Sequence, residues 1–240
     1  MELVQLTDRI SYLPHQPERE RPLLAYIRGD RYCLAIDAGY SSRHVELFYS
    51  ALSAAGLREP DFTVLTHWHC DHSYGLHAVS GCTIACALTN AKLREHRLKS
   101  SDPSYREYIG RAMGEDNFYQ EYGVGVPIIV EPASIEFSDS LTLDLGGVTA
   151  EFTRIESAHS ADSVLIYIPE QKTLFLGDTV YGDFRTAWAA ERQKYENLLD
   201  IIEKSDCDYC VCSHMRPGTK PEIIRYLNRR LEQSRQRSAV

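Results

Sequence analysis

Residues 66–75 read Thr-His-Trp-His-Cys-Asp-His-Ser-Tyr-Gly, placing four strong metal-ligand side chains, His67, His69, Asp71 and His72, within six residues. The preceding run Phe62-Thr63-Val64-Leu65 is short, apolar and β-branched, and Pro60-Asp61 bounds it upstream, which predicts a buried strand ending where the ligands begin. Alternate side chains of an extended backbone share a face. His67, His69 and Asp71 can therefore point one way, and His72 joins them if the chain curls after the strand. Two imidazoles suit zinc or iron, and a carboxylate with a further imidazole has the donors for a second ion. A single loop histidine is ordinarily a solvated polar residue, but four ligand side chains at this density call for a metal. Five of the nine histidines (His67, His69, His72, His159, His214) fall in this stretch or in two later ones, leaving His15, His44, His77 and His96 scattered.

With a complete His-x-His-x-Asp-His signature after a strand, the chain resembles the metallo-β-lactamase superfamily, whose pattern continues with a lone His, an Asp bridging two metals and a last His. Ser157-Ala158-His159-Ser160, Leu176-Gly177-Asp178-Thr179 and Cys212-Ser213-His214-Met215 supply one candidate for each, in the family's order and across nearly the whole chain. The resemblance implies two divalent ions, zinc first, with iron or manganese as alternatives. His67, His69 and His159 would hold one and Asp71, His72 and His214 the other, with Asp178 shared. In the family an Asp-x-Gly at the place of Asp37-Ala38-Gly39 lies beneath the metals, so Asp37 is expected either to orient a ligand or simply to form the turn before Gly39. Tyr181 stands three residues after Asp178, where lactonases similar to this superfamily have a Tyr that touches the substrate carbonyl; an aromatic covering the cavity is the other reading.

The chemistry implied is hydrolysis by water deprotonated between two ions near neutral pH, with Asp71 steering a proton and Tyr181 donating to an oxyanion. Family members hydrolyse thioesters, lactones, β-lactams and phosphodiesters, and a fold does not choose among them. The absence of an export signal weighs against a β-lactam, and the net charge of −8 offers no basic field for nucleic acid. A small thioester or lactone is the expected substrate, although nothing near Val240 resembles the added substrate domain of a full glyoxalase II. The alternatives are a mononuclear iron oxidoreductase of persulfide-dioxygenase type and a phosphodiesterase. A non-enzymatic binding module is disfavoured because every ligand position is filled. There is no Gly-x-Ser-x-Gly elbow for a serine hydrolase.

These residues must be positioned by a globular scaffold. Of 240 residues, 43% are hydrophobic and 25% charged, ordinary values that suit one domain of layered α/β type spanning 1–240. Segments 2–13, 22–37, 82–86, 128–130, 135–137, 141–145, 148–155, 164–168, 173–176 and 209–212 have strand character, with hairpin turns at Gly29-Asp30 and Gly146-Gly147. Helical spacing covers 41–55, 73–79, 88–97, 191–204 and a last helix from about 220. Two halves of strands flanked by helices predict a four-layer αββα sandwich with ligands on loops along one edge, which is also the family's fold.

Residues 99–127 interrupt this alternation with glycines and the aromatics Tyr105, Tyr108, Phe118, Tyr119 and Tyr122, and read either as a helical lid or as ordinary surface packing. Asp162-Ser163 beside His159 either orients its imidazole or initiates the next strand. Cys207-x-x-Cys210-x-Cys212 reads as small core residues in preference to a zinc knot, because no second Cys pair stands at a fitting distance. Cys70 reads as packing. Seven cysteines without a small secreted scaffold fit reduced thiols. The N-terminus shows no basic region followed by an apolar run, and no segment is long enough to span a bilayer, so a cytoplasmic, soluble protein is expected. The arginines at 225, 229, 230, 235 and 237 read as the solvated face of a terminal helix.

Overall fold

The ligand-bearing strand lies inside a seven-stranded sheet in the computed structural model, which describes residues 1–123, 126–182 and 188–237. That sheet runs side by side in chain order: β1 (Val4–Gln5), β2 (Ile10–Leu13), β3 (Leu24–Arg28), β4 (Cys33–Ile36), β5 (Phe62–Val64), β6 (Cys82–Cys86) and β7 (Ile135–Phe137). A second sheet has the order β13 (Gly218–Thr219), β12 (Tyr209–Cys212), β11 (Thr173–Gly177), β10 (Ser163–Ile168), β9 (Thr149–Ile155), β8 (Ser140–Asp144). Pairing is antiparallel as far as β4 and parallel from β4 through β7, while in the second sheet β11 and β12 alone are parallel. Parallel neighbours need a crossover, and helices supply it: α1 (Ser42–Ala54) between β4 and β5, and α6 (Trp188–Lys204) between β11 and β12.

The alternating apolar residues of the two sheets meet face to face, Ile27, Leu34, Val64 and Ile84 against Phe152, Val164, Ile166 and Phe175. On the outer face of the first sheet, Phe48, Ala51 and Leu52 of α1 cover Leu24, Tyr26 and Ala35. Outside the second sheet, Tyr195, Leu198 and Ile202 of α6 and Ile223 and Leu227 of α7 (Lys220–Arg237) cover Leu165, Leu174 and Leu176. The result is the expected αββα sandwich. α1 begins where the Ser41 hydroxyl accepts the His44 N–H at 3.3 Å and stops before Gly56, whose φ of 69° suits glycine. Burying Phe48 and Leu52 contributes about 1.5–3 kcal/mol each.

The structure departs from the sequence expectations in four places. Segment 2–13 is broken into two strands because the Thr7 hydroxyl accepts the Ile10 N–H at 3.1 Å and closes a turn. The helix expected at 73–79 starts earlier, as α2 (Cys70–Ser73), followed by a 3₁₀ turn at Leu76–Ala78. Ile128 and Val130 are buried and Ile129 is 44% exposed, the alternation of a strand, but the segment joins no ladder among the described residues and packs among helices instead. The short edge strand β13 has no counterpart in the expected elements.

Segment 99–127 contains α4 (Pro103–Met113) and α5 (Glu115–Tyr122), which with α3 (Ala87–Lys99) pack on Leu65, Tyr74 and Ala85. Two of its four tyrosines serve that packing, while Tyr108 and Tyr119 are exposed. Tyr105 and Tyr122 are buried, the Tyr105 hydroxyl bonding Tyr74 and His96 and the Tyr122 hydroxyl donating to the Tyr40 carbonyl at 2.5 Å. Among the described residues, no helix is long and apolar enough to cross a membrane.

Candidate metal centre

All seven candidate ligands emerge at one edge of the sandwich. His67 and His69 lie between β5 and α2; α2 carries Asp71 and His72; His159 lies between β9 and β10; Asp178 follows β11 and His214 follows β12. The early start of α2 provides the curl that His72 requires, since the His69 carbonyl accepts the N–H groups of His72 and Ser73 at 3.0 and 3.1 Å and the Ser73 hydroxyl donates to the Trp68 carbonyl at 2.7 Å. The two sheets are joined here by the Val164 N–H to Thr66 carbonyl bond of 2.8 Å. Their approach is close enough that a Cβ on Gly177 would lie 2.9 Å from the Thr66 Cβ, so this position, at φ 55°, requires glycine.

The ligand atoms fall into two neighbouring groups, each with its members within 4.8 Å of one another: His67, His69 and His159, and Asp71, His72, Asp178 and His214. In the first, His159 Nε2 lies 3.1 Å from His67 Nε2 and 2.8 Å from His69 Nδ1. In the second, Asp71 Oδ2 lies 3.2 Å from His72 Nε2 and 3.1 Å from His214 Nε2, and Asp178 Oδ2 lies 3.4 and 3.3 Å from the same nitrogens. Asp178 Oδ2 is also 3.5 Å from His159 Nε2, so this carboxylate stands between the groups. Donors around a tetrahedral ion with bonds of ~2.0–2.1 Å are about 3.3 Å apart, and these spacings fit. Among the described residues, His72 Nε2 and Asp178 Oδ1 are buried without a hydrogen bond, a condition that costs about 1–3 kcal/mol per group unless something else engages them. Imidazole nitrogens and carboxylate oxygens left in this state are suited to a divalent cation.

Supporting residues fix the rings. Asp37 accepts the Thr66 N–H at 2.7 Å and the Thr66 hydroxyl at 2.9 Å, and its Oδ2 is 2.8 Å from His72 Nδ1. With that hydroxyl donated to Asp37, its oxygen is left to accept from His67 Nδ1, 3.1 Å away. Both rings therefore donate from Nδ1 and turn Nε2 toward the centre. Asp37 does this from a left-handed backbone, φ 64°, a strained conformation of the kind found at functional sites. The Ser157 hydroxyl accepts the His159 and Ser160 N–H groups, each at 3.1 Å, and shapes the His159 loop. Asp162 accepts the Trp68 N–H at 3.0 Å and the Thr89 hydroxyl at 2.6 Å and also bonds the Ser160 hydroxyl, so it ties the His159 loop to the first ligand loop through backbone and hydroxyl contacts.

The two groups differ electrostatically. Burial and the adjacent His72, His69 and His159 rings hold His67 well below the ordinary imidazole value, and burial with His159 takes His69 down to about 4. Burial opposes a charge on His72 too, but the carboxylates of Asp71, Asp178 and Asp37 outweigh it and raise it well above that value. His214 is raised to about 9, against burial, by Asp178 and Asp71. Those two carboxylates are buried as well, yet His72 and His214 hold both far below the usual carboxylate range. One group is thus a set of imidazoles held toward the neutral form, and the other sets two carboxylates against two imidazoles that they hold toward the charged form.

A cavity of about 580 Å³ opens over both groups, floored by His69, Asp71, His159, Asp178 and His214. Tyr181 forms one wall, its ring 6.0 Å from that of His214, and its phenol is pushed up by burial and by the nearby Cys212 and Asp178. His15, Pro17 and Glu20 form a second wall, and Ala112 and Met113 at the end of α4 a third. Every ligand expected from the sequence is brought together here. Tyr181 lies on the wall, as one of its two readings expects, whereas the roles of Thr66, Ser157 and the wall residues His15, Pro17, Glu20, Ala112 and Met113 have no counterpart in the sequence reading; the Thr immediately before His67 is a visible signal, but nothing in the spacing of His15 or Met113 marks them.

Residues 24–214 match the model of the metallo-beta-lactamase superfamily, and the chain belongs to that family. Solved structures with the same fold include a metallo-beta-lactamase from Pontibacter korlensis, at 17% identity and a TM-score of 0.64, covering 95% of this chain and 98% of that one. Another is the stereoselective inverting sec-alkylsulfatase from Pseudomonas sp., at 15% identity and a TM-score of 0.70, which matches 97% of this chain over 41% of its own. An archaeal superfamily protein from Sulfolobus tokodaii matches at 15% identity and a TM-score of 0.63, over 95% of this chain and 86% of that one. No curated protein matches the chain.

Proposed function

We propose that this chain is a binuclear metal-dependent hydrolase of small ester-like substrates, with thioesters and lactones first and zinc as the preferred ion. The observation that carries the reading is the convergence of His67, His69, His159, Asp71, His72, Asp178 and His214 into two adjoining ligand groups beneath one cavity. The first three would hold one ion, and Asp71, His72 and His214 the other, with Asp178 shared. Bound divalent ions supply Lewis acidity and a nucleophile derived from water near neutral pH. Asp37 and Thr66 keep the His72 and His67 nitrogens aimed at the centre, Asp71 accepts and passes on a proton, and the Tyr181 hydroxyl donates to the oxygen on which charge develops. In this reading residues 1–240 act as one domain and segment 99–127 covers the site through Ala112 and Met113. The fully assembled second group favours two ions over a mononuclear iron oxidoreductase.

The test is metal analysis of the purified protein together with turnover of a thioester and lactone panel, before and after chelation and zinc restoration. Close to two equivalents of zinc, with turnover lost on chelation and regained on restoration, is the expected outcome. Active protein without stoichiometric zinc, iron or manganese would exclude the scheme. One equivalent of iron with oxygen consumption on a persulfide would replace it with the oxidoreductase.

A further inference from the structure

The Cys207-x-x-Cys210 motif lies outside the candidate centre and takes no part in it. Cys207 sits in the turn between α6 and β12, and Cys210 on β12 itself; their sulfurs are 3.6 Å apart and hydrogen bonded. The turn is thin. Asp206 and Asp208 on either side are exposed, and Cys207 is the one side chain of the three that points inward, with 4% of its surface exposed. The Ser205 hydroxyl is 3.1 Å from the Cys207 sulfur, and the Lys220 ammonium donates to the Ser205 carbonyl at 2.6 Å, which places a cation beside the thiol.

These groups act unequally on the two sulfurs. The hydrogen bond from Cys210 lowers the Cys207 thiol below its ordinary value, with Ser205 and Lys220 acting in the same direction against burial. Cys210 is raised by its role as donor and by burial. The other thiols near functional elements have no such neighbours: burial pushes both Cys70 and Cys212 up. The protein thus holds one thiolate-prone sulfur and one protonated partner within reach of it, the arrangement of an attacking and a resolving cysteine. Among the described residues no third cysteine, histidine or carboxylate joins them as a metal-ligand group, which leaves sulfur–sulfur chemistry as the pair's own.

We propose that Cys207 and Cys210 form a peroxide-sensitive dithiol that closes reversibly to an intramolecular disulfide at the base of the strand delivering His214. The oxidant is a hydroperoxide. The Cys207 thiolate attacks its terminal oxygen, so an S–O bond forms as the O–O bond breaks, and the departing oxide takes up a proton to leave as water or alcohol. The Cys210 sulfur then attacks the sulfenic sulfur of Cys207; the S–S bond forms, the S–O bond breaks, and hydroxide leaves as water with the Cys210 proton. Two thiols are oxidised by two electrons and one peroxide is reduced. Closing the bond requires the sulfurs to approach by about 1.5 Å, to the usual ~2.05 Å, a movement a surface turn can accommodate.

The test is titration of fully reduced full-length protein with hydrogen peroxide, counting free thiols after denaturation and mapping peptides by mass spectrometry. The expected count falls from seven to five, with the peptide containing residues 207 and 210 losing two hydrogens and regaining them on reduction with dithiothreitol. Cys212→Ser should behave as wild type, Cys207→Ser should keep all its remaining thiols at the same dose, and Cys210→Ser should accumulate a dimedone-reactive sulfenic acid at Cys207. Oxidation confined to the exposed Cys82, or a disulfide that persists in Cys207→Ser, would overturn the proposal. Peptide mapping of the wild type decides it alone should either variant fail to fold.

Discussion

Oδ2 of Asp37 lies 2.8 Å from Nδ1 of His72, so a residue that emerges from β4 dictates which nitrogen of a ligand ring faces the candidate metals. The same carboxylate engages Thr66, and through that hydroxyl His67, one ligand in each of the two groups.

Replacing Asp37 should therefore weaken both groups together. Asn tolerates a positive φ, so Asp37→Asn preserves the backbone while removing the charge that anchors the His72 Nδ1–H. Zinc affinity, measured by competition with a chromogenic chelator, is expected to fall by about 10–100-fold. Unchanged affinity for both equivalents would show that Asp37 merely ends its strand.

Thr66→Val keeps the shape and loses the hydroxyl. Its expected effect is smaller on folding, about 1–3 kcal/mol from leaving the Asp37 carboxylate a partner short, and is accompanied by weaker metal binding that Thr66→Ser restores. Urea denaturation of the metal-free proteins, followed by the same chelator competition, separates the two effects.

Tyr181→Phe removes a single oxygen from the cavity wall. If that oxygen donates to a developing oxyanion, kcat should fall by about 10²-fold with KM nearly unchanged. A change in KM alone would assign the ring to shaping the cavity.

The Arg21 guanidinium and the Glu121 carboxylate form a two-pronged ion pair, both contacts at 2.9 Å, that is enclosed by protein and shared with the Ser41 hydroxyl. It joins α5 to the loop that carries Pro17 and Glu20 on the cavity wall. Arg21→Met strands a buried carboxylate and should cost about 3–5 kcal/mol, most of which Arg21→Met/Glu121→Leu recovers. Denaturant midpoints of the three proteins test this, and a double variant no more stable than the single one would contradict it.

His44 is fully buried, and burial together with Arg21 holds it well below the ordinary imidazole value. The unfolded chain takes up a proton near pH 6.5 that the native chain does not, so the contribution to stability is complete above that pH and declines below it, until the native ring itself titrates. Between pH 7.5 and 5.5 the loss is about 1.4 kcal/mol from this one group. Asn can still accept the Tyr40 N–H that His44 Nδ1 accepts at 3.4 Å and has no such titration. His44→Asn should flatten the pH dependence of unfolding by that amount.

The ligands, the strand before them and the layered fold were legible because each rests on local or ordered information. Side-chain type and the period of two mark Phe62 to Asp71, and the order of His159, Asp178 and His214 follows the family. The supporting contacts were less legible because they cross between distant segments. Asp162 lies beside His159 in the chain, yet its carboxylate reaches Trp68 and Thr89, 94 and 73 residues away. The His15 wall is a matter of tertiary approach, which no periodicity encodes. Ile128 to Val130 show a strand's alternation of burial without a ladder partner, a case where packing against helices produces the same pattern.

Both sheets change from antiparallel to parallel pairing where the ligands emerge, at β4–β5 and at β11–β12. Neighbouring chain directions then agree, so the strand ends that lead into Asp37 and His67, like those that lead into Asp178 and His214, lie at the same edge, neighbours at the ordinary interstrand spacing of about 4.8 Å. The placement of His67, Asp178 and His214 is consequently inherited from backbone ladders. Loops on this rim can lengthen or change composition to suit a different molecule in the cavity while the cation cradle keeps its dimensions.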